Sequence, residues 1–112
     1  MPSRHDLLLG GVTVFLDRDG TLNPDPGYIG SPDQFELFPG AAAAVAKLKR
    51  AGARLVVVTN QSGIGRGYFS TADLEQIHAK LRRLLGEAGA SLDAIYFCPD
   101  RSEEHTSELQ SQ

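Results

Sequence analysis

The sequence has almost no cysteine: Cys98 is the one Cys among 112 residues. A single cysteine cannot form an internal disulfide, so Cys98 is either a small buried apolar residue or one member of an incomplete site. Long apolar runs are also missing, which excludes a signal peptide and a transmembrane segment. The net charge of −3 gives no bias towards nucleic acid or membrane surfaces. These absences predict one small soluble domain in the cytoplasm.

What the chain does contain is an apolar run that ends in two carboxylates. Residues 12–16 read Val-Thr-Val-Phe-Leu, which is typical of a strand buried on both faces of a parallel sheet. Asp17 and Asp19 follow, one residue apart, and lead into Gly20. Ligands of open α/β sheets bind beyond the carboxyl ends of the strands, so we expect both carboxylates in a functional site.

The two carboxylates suit phosphoryl transfer. An aspartate can attack phosphorus and form an aspartyl-phosphate, and we assign Asp17 as this nucleophile. Asp19 would protonate the leaving oxygen and later take a proton from the hydrolytic water. An anionic substrate and hard oxygen ligands also indicate Mg²⁺, held by Asp17, Asp19 and the substrate phosphate. The alternative is an ordinary turn rich in Asp and Gly, in which neither residue is catalytic.

A second apolar run, residues 55–58, ends in the small polar residues Thr59 and Asn60. Their hydroxyl and amide groups could bind phosphate oxygens at the same sheet edge, although Thr and Asn also cap strand ends locally. Arg66 follows in a glycine-rich loop, where its planar guanidinium could hold a phosphate or simply be solvated. This loop lacks the Lys-Ser/Thr ending of a P-loop, so a nucleotide-binding module is the weaker hypothesis.

Helical periodicity predicts a first helix over residues 41–51, with Ala44, Val45 and Leu48 on its buried side. A third strand is expected over residues 94–97. Strands that alternate with helices indicate βαβ units with right-handed crossovers. The predicted class is therefore a three-layer α/β/α Rossmann-like fold around a parallel sheet.

A second helix is predicted to begin after Ser70, whose spacing to Asp73 resembles a capping box. Asp73 is therefore a cap and not a catalytic residue. His78, alone on this helix, is expected at the surface. The predicted core positions repeat at helical spacing and are Leu74, Ile77, Leu81, Leu84, Leu85 and Ala88.

Residues 23–38 form a segment that is long for a connection between a strand and a helix. A long loop above the catalytic edge could select the substrate, or it could serve only as a connection. The segment is too short for a separate cap domain. We therefore expect an enzyme of the capless type, suited to small phosphate esters.

These motifs resemble those of a known family. Residues 17–21, Asp-Arg-Asp-Gly-Thr, resemble the first motif of the haloacid dehalogenase superfamily of phosphatases. Residues 55–67 resemble the second motif of the branch that contains heptose bisphosphate and histidinol phosphatases. The resemblance covers residues 12–99 and implies a Mg²⁺-dependent phosphomonoesterase that works through an aspartyl-phosphate.

The resemblance also implies roles for individual residues. Thr59 would hold the phosphoryl group during catalysis. The implied reaction removes the 7-phosphate of D-glycero-D-manno-heptose 1,7-bisphosphate, with histidinol phosphate or another small metabolite as the alternative. We expect a monomer with a small phosphorylated partner, and no nucleic acid or membrane partner. The implied substrate-binding residues are Arg18, Asp25, Pro26, Gly27, Tyr28, Asn60, Gln61, Ser62 and Arg66.

Members of this branch often bind structural zinc through a Cys-x-His pair and a later Cys-x-Cys pair. Cys98 stands at the first of these positions, but Asp100 stands where the His would be, and the later cysteines are missing. A structural zinc site usually needs four ligands. We therefore expect zinc, if at all, in an intact protein and not in this chain.

The last residues break with the pattern that precedes them. Residues 101–111 match, in frame, the translation of a sequencing adapter, and they contain one apolar residue. The implied third motif, a Lys or Arg, and the fourth, an acidic pair that completes the magnesium site, are missing. We therefore expect residues 1–100 to be the amino-terminal part of a phosphatase domain and residues 101–112 to be a non-native disordered tail. The alternative hypothesis from another class is a non-catalytic fragment, and this chain by itself is expected to be inactive.

Overall fold

The computed structural model describes residues 8–99 and 109–112. Among the described residues, the predicted strands and helices alternate as the sequence indicates. Three short elements are additional: a 3-10 turn, a one-turn helix and a two-residue strand. In chain order the elements are β1 (Thr13–Leu16), the 3-10 turn (Pro32–Gln34), α1 (Ala41–Arg50), β2 (Arg54–Asn60), α2 (Ser62–Gly65), α3 (Thr71–Glu87), β3 (Ala94–Cys98) and β4 (Gln110–Ser111).

The four strands form one sheet in the order β1-β2-β3-β4. The first three strands are parallel, with Leu16 opposite Val57 and Asn60 opposite Cys98. The carboxyl ends of β1, β2 and β3 therefore meet at one edge of the sheet. This is the edge at which open α/β sheets bind their ligands.

Both long helices pack against the same face of the sheet. Their buried side chains share one core with strand residues such as Leu55, Val57 and Ile95. Right-handed crossovers that step in one direction, from β1 to β2 to β3, require this arrangement. The α/β Rossmann-like class is thus confirmed, and the described residues supply one of the two predicted helical layers.

Packing against the core determines which residues of α1 are buried. In α1 the buried residues are Val45 and Ala46, whereas Ala44, predicted in the core, is exposed. The buried stripe continues through the partly buried Ala42, at spacings of three and four, and Ala44 lies off that stripe. None of the described helices is both long and apolar enough to cross a membrane.

The prediction for α3 is largely confirmed. Ser70 Oγ accepts a hydrogen bond from Asp73 N at 3.1 Å, and Ser70 N donates to Asp73 Oδ2 at 2.8 Å, which is the predicted capping box. Leu84 is half-buried, and Ala88 is exposed just beyond the helix end. The fully buried core positions are Leu74, Ile77, Leu81 and Leu85.

The prediction that β1 is buried on both faces is wrong. Val14 and Leu16 pack against the core, but Phe15 points to the opposite face and is 69% exposed. The reason is that β1 is an edge strand, and no described helix covers that face. The apolar run therefore marks the strand correctly but not its surroundings.

The expected disordered tail lies mostly outside the described residues. Residues 101–108 are among those not described, while residues 109–112 differ from the expectation of disorder. Gln110 and Ser111 pair antiparallel with β3, and Gln112 N donates to Ile95 O at 2.8 Å. The division of the chain at residue 100 stays a prediction.

Candidate active site

A cavity of about 410 Å³ opens at the carboxyl edge of the sheet. It lies where β1 and β2 end and where the loop after β1 folds over them. Most of the residues expected in the site line it. They are Asp17, Asp19, Asp25, Gly27, Tyr28, Thr59, Asn60, Gln61 and Ser62.

Asp17 follows directly after β1 and is exposed in the cavity wall. No hydrogen bond or ion pair involves its carboxylate among the described residues. Both carboxylate oxygens are therefore free to meet a cation or a phosphorus atom. This is the state that the predicted nucleophile requires.

Asp19 is held much more firmly than Asp17. Its Oδ1 accepts hydrogen bonds from Arg18 Nε and Asn23 Nδ2, both at 2.9 Å. Its Oδ2 accepts from Gln61 Nε2 at 3.0 Å. Both oxygens are thus fixed in orientation, by donors from two different segments of the chain.

The turn after Asp19 brings Asn23 to this position. Gly20 has a φ of 84°, a conformation that glycine adopts without strain. Gly20 N then donates to Asn23 O at 2.7 Å and closes the turn. Sequence reasoning assigned Asn23 only to the loop and missed this role. The detectable signal was an amide side chain four residues after a carboxylate, across a glycine turn.

At the end of β2, Gln61 links the two halves of the site. Its Nε2 donates to Thr59 Oγ1 at 2.9 Å as well as to Asp19. Thr59 and Gln61 are both buried, while Asn60 is exposed and Ser62 half-buried at the cavity wall. The hydroxyl and amide groups predicted to bind phosphate therefore lie beside both carboxylates.

The long loop contributes the outer wall. Asp25 Oδ1 accepts a hydrogen bond from Gly27 N at 3.1 Å, which closes a small turn at the cavity mouth. The ring of Tyr28 meets that of Tyr68 edge to face, with centroids 4.8 Å apart. The loop therefore lies over the carboxyl edge of the sheet, and its role in substrate selection stays a prediction.

The side chain of Arg18, which was predicted to bind substrate, points away from the cavity. Its side chain is 0% exposed and does not line the cavity. Because Asp17 and Asp19 face the cavity, the residue between them points into the protein. There its guanidinium contacts Asp19 and His78 and lies 5.6 Å from the centre of the Phe35 ring.

His78 was expected at the surface, and this prediction is wrong. The residue is 2% exposed, because it lies on the apolar stripe of α3 beside Ile77, four residues after Leu74. Burial above all, and the charge of Arg18, lower the pKa of His78 to about 4, against a hydrogen bond to Gln112 that raises it. His78 is therefore neutral at pH 7.

Three other predicted residues lie outside the cavity wall. Pro26 and Arg66 are exposed residues of the two loops near it. Cys98 ends β3 and is a half-buried free thiol. Its carbonyl oxygen accepts a hydrogen bond from Gln61 N at 2.8 Å, so its backbone supports the site.

The donor set of the cavity fits Mg²⁺. Magnesium is usually bound by one or two carboxylates together with waters and substrate phosphate. Asp17 and Asp19 provide two carboxylates on one wall. No group of three or more His, Cys, Asp or Glu side chains that could hold a metal occurs among the described residues, so other ligands would have to complete the shell.

Comparison with known proteins agrees with this geometry. The chain is 49% identical over 90 residues to the D-glycero-beta-D-manno-heptose-1,7-bisphosphate 7-phosphatase of Pasteurella multocida. The matched region covers 80% of this chain and 49% of that protein. No protein-family model matches the chain. The chain thus spans about half the length of the curated relatives that it matches.

Solved structures show the same relationship. The crystal structure of D,D-heptose 1,7-bisphosphate phosphatase from B. bronchiseptica, complexed with magnesium and phosphate, superposes with a TM-score of 0.81 at 41% identity, over 85% of this chain and 54% of that one. A protein from Mesorhizobium loti described as HAD-like superposes with a TM-score of 0.71 at 42% identity, over 78% of this chain and 41% of that one. In sequence and in fold the chain is thus similar to heptose bisphosphate phosphatases and to a HAD-like phosphatase, over about half the length of each.

Proposed function

We propose that this chain supplies the nucleophile-bearing half of a Mg²⁺-dependent phosphatase that removes the 7-phosphate of D-glycero-D-manno-heptose 1,7-bisphosphate. The observation that carries the proposal is the pair Asp17 and Asp19 in one cavity wall, the first free and the second fixed. The relatives' names support the substrate. The proposal keeps the monomeric, cytoplasmic enzyme that the sequence predicts.

In the proposed reaction, a carboxylate oxygen of Asp17 attacks phosphorus and forms an aspartyl-phosphate while the bond to the sugar oxygen breaks. Thr59, whose hydroxyl is fixed by Gln61, would then orient the phosphoryl group. Mg²⁺ held by Asp17 and the substrate phosphate would supply positive charge that offsets the repulsion between nucleophile and phosphate, because hydrogen bonds and the transferred proton occupy both oxygens of Asp19.

Asp19 would carry the proton. Its Oδ1 is occupied by Arg18 and Asn23, which leaves Oδ2 as the oxygen that exchanges a proton with the leaving group. Within residues 8–99 and 109–112, Gln61 alone holds Oδ2, and its amide is shared with Thr59. The proton would pass first to the sugar oxygen, and Asp19 would later accept one from the water that hydrolyses the aspartyl-phosphate.

The test joins residues 1–99 to the unmatched remainder of the Pasteurella multocida relative and measures phosphate release with Mg²⁺. We expect turnover of the heptose bisphosphate, complete loss in Asp17→Asn, and a loss of about 10² to 10⁴-fold in Asp19→Asn. Asp33→Asn, an exposed acidic residue outside the cavity wall, is the matched control and should behave as the unsubstituted protein.

Two comparisons complete this experiment. The 112-residue chain alone is expected to release almost no phosphate, because removing even one transition-state stabiliser commonly costs about 10² to 10³-fold. Histidinol phosphate is the second substrate, and faster hydrolysis of it would replace the heptose assignment. Turnover that survives Asp17→Asn would contradict the assignment of the nucleophile.

A further inference from the structure

A buried chain of polar side chains runs from α3 to the active-site carboxylate. His78 Nε2 lies 3.1 Å from Arg18 Nη1. Arg18 Nε and Nη2 lie 2.9 and 2.8 Å from the same oxygen, Asp19 Oδ1. Arg18 and His78 are 60 residues apart in sequence and both are buried, so the contact is a feature of the tertiary fold.

The hydrogen bonds between these polar side chains fix the tautomer of His78. An arginine side chain has only donors, so His78 Nε2 must be the acceptor and must carry no proton. The proton of the neutral ring is therefore on Nδ1, which donates to Gln112 Oε1. Protonation of Nε2 would direct an N–H group at the guanidinium and break the chain.

Burial of Arg18 needs this support. The Arg18 side chain is 0% exposed, and its guanidinium forms an ion pair with the carboxylate of Asp19. A buried cation without partners is costly, and removing one partner of a buried polar pair leaves an uncompensated group. The Nη2 atom already lacks a well-directed hydrogen bond, so His78 is the acceptor that fixes the outer end of the guanidinium.

We propose that His78 is a positioning residue that acts through Arg18 to hold Oδ1 of Asp19, so that Oδ2 faces the reacting phosphate ester. This inference rests on the proposed role of Asp19 as acid and base. His78 touches neither the cavity carboxylates nor the substrate space directly, and its effect passes through the guanidinium.

The first test measures the side-chain nitrogen shifts of His78 by NMR in the full 112-residue chain at pH 7. The expected result is a neutral ring with the proton on Nδ1 and a bare Nε2. A proton on Nε2, or a doubly protonated ring, would overturn the proposal without any substitution.

The second test compares two substitutions in the same chain. His78→Gln keeps an acceptor and should preserve the Arg18 Nε–H signal and the carboxyl carbon shift of Asp19. His78→Leu removes the acceptor and should change that carbon shift and speed exchange of the Arg18 guanidinium protons by about tenfold or more.

The matched control is Leu74→Ala, which opens a cavity on the same helix in a separate cluster with Phe69 and Phe97. It should destabilise the chain while leaving the Arg18 and Asp19 signals as they were. Equal disturbance by Leu74→Ala and His78→Leu, or none by His78→Leu, would mean that His78 only fills the core. These measurements need no substrate, so they stand or fall separately from the phosphatase assignment, which the phosphate-release assay decides.

Discussion

At the scale of single residues, the two aspartates are differentiated by their neighbours. Asp17 has no partner among the described residues, whereas Asp19 accepts hydrogen bonds through both oxygens. A nucleophile must be free to reach phosphorus, and an acid or base must hold its proton in a fixed direction. Two identical side chains, two residues apart, thus suit two different tasks.

Gly63 offers a sharp test of how tightly the cavity wall is packed. A Cβ atom at this position would lie 2.3 Å from Phe69 Cε1 and 2.9 Å from Tyr28 Cδ1. We expect Gly63→Ala to lower the free energy of unfolding by about 1 to 3 kcal/mol and to displace the Tyr28 ring, because overpacking forces neighbours to move. Chemical denaturation and the Tyr28 ring signals in NMR spectra are the measurements.

Gly86→Ala is the control, since a Cβ there meets nothing within 4 Å and Gly86 lies inside α3. This change should stabilise the chain by about 0.5 to 1 kcal/mol, as alanine favours helix. Equal stability changes in the two variants would show that the ring packing around Gly63 is loose.

Sequence patterns could predict the cavity-lining residues but not the support beneath them. Asp17, Asp19 and Thr59 could be predicted because the end of each apolar run marks the end of a strand. The inward direction of Arg18 could not be predicted, because it depends on the turn at Gly20, which the sequence alone does not define. The burial of His78 could have been predicted from its position on the apolar stripe of α3. Its contact with Arg18 could not, because Arg18 belongs to a distant segment of the chain.

At the scale of elements, cap chemistry and periodicity were sufficient to predict α3 but not to predict β4. The capping box of Ser70 and Asp73 is local, so four residues determine it. The pairing of β4 with β3 depends on a free sheet edge that no local pattern reveals. Edge strands attract any extended segment that can satisfy their backbone groups.

Deleting residues 101–112 tests how much β4 matters. Its two residues are exposed, and the neighbouring Leu109 is exposed as well, so β4 buries little apolar surface. A net contribution of about 1 kcal/mol per hydrogen bond is offset by a similar entropy cost for each ordered residue. The deletion also removes Gln112, whose side chain accepts a hydrogen bond from the buried His78 Nδ1. We therefore expect the free energy of unfolding to fall by about 1 to 2 kcal/mol in thermal melts, most of it from the loss of this acceptor.

Phosphate and Mg²⁺ binding should be unchanged by the same deletion, because residues 109–112, the described part of the segment, do not line the cavity. Deletion of residues 91–99, which removes all of β3, serves as the contrasting variant and should unfold the chain. A large loss of stability on removing residues 101–112 would show that this segment is an integral part of the domain.

At the scale of the whole molecule, the direction of the crossovers determines what is covered. Both crossovers step the same way, so α1 and α3 cover one face of the sheet. No long helix among the described residues covers the other face at Phe15, which is 69% exposed, although Val56 beside it is only 6% exposed. The outer edge of β1 is also unpaired among the described residues. Parallel sheets are usually covered on both faces.

Phe15 is the most exposed apolar residue of this face. We expect Phe15→Thr to leave the free energy of unfolding of this chain within about 0.5 kcal/mol, because the ring is 69% exposed and threonine keeps strand propensity. Binding of an apolar fluorescent dye should fall at the same time, since the ring is part of the exposed apolar surface. Ile95→Thr is the matched control on the helix-covered face: Ile95 is fully buried, and its loss should cost about 2 kcal/mol or more. Denaturant melts and dye titrations on the three proteins measure both effects. If Phe15→Thr destabilised the chain as strongly as Ile95→Thr, the ring would have to be buried in solution, and the sheet would be covered on both sides.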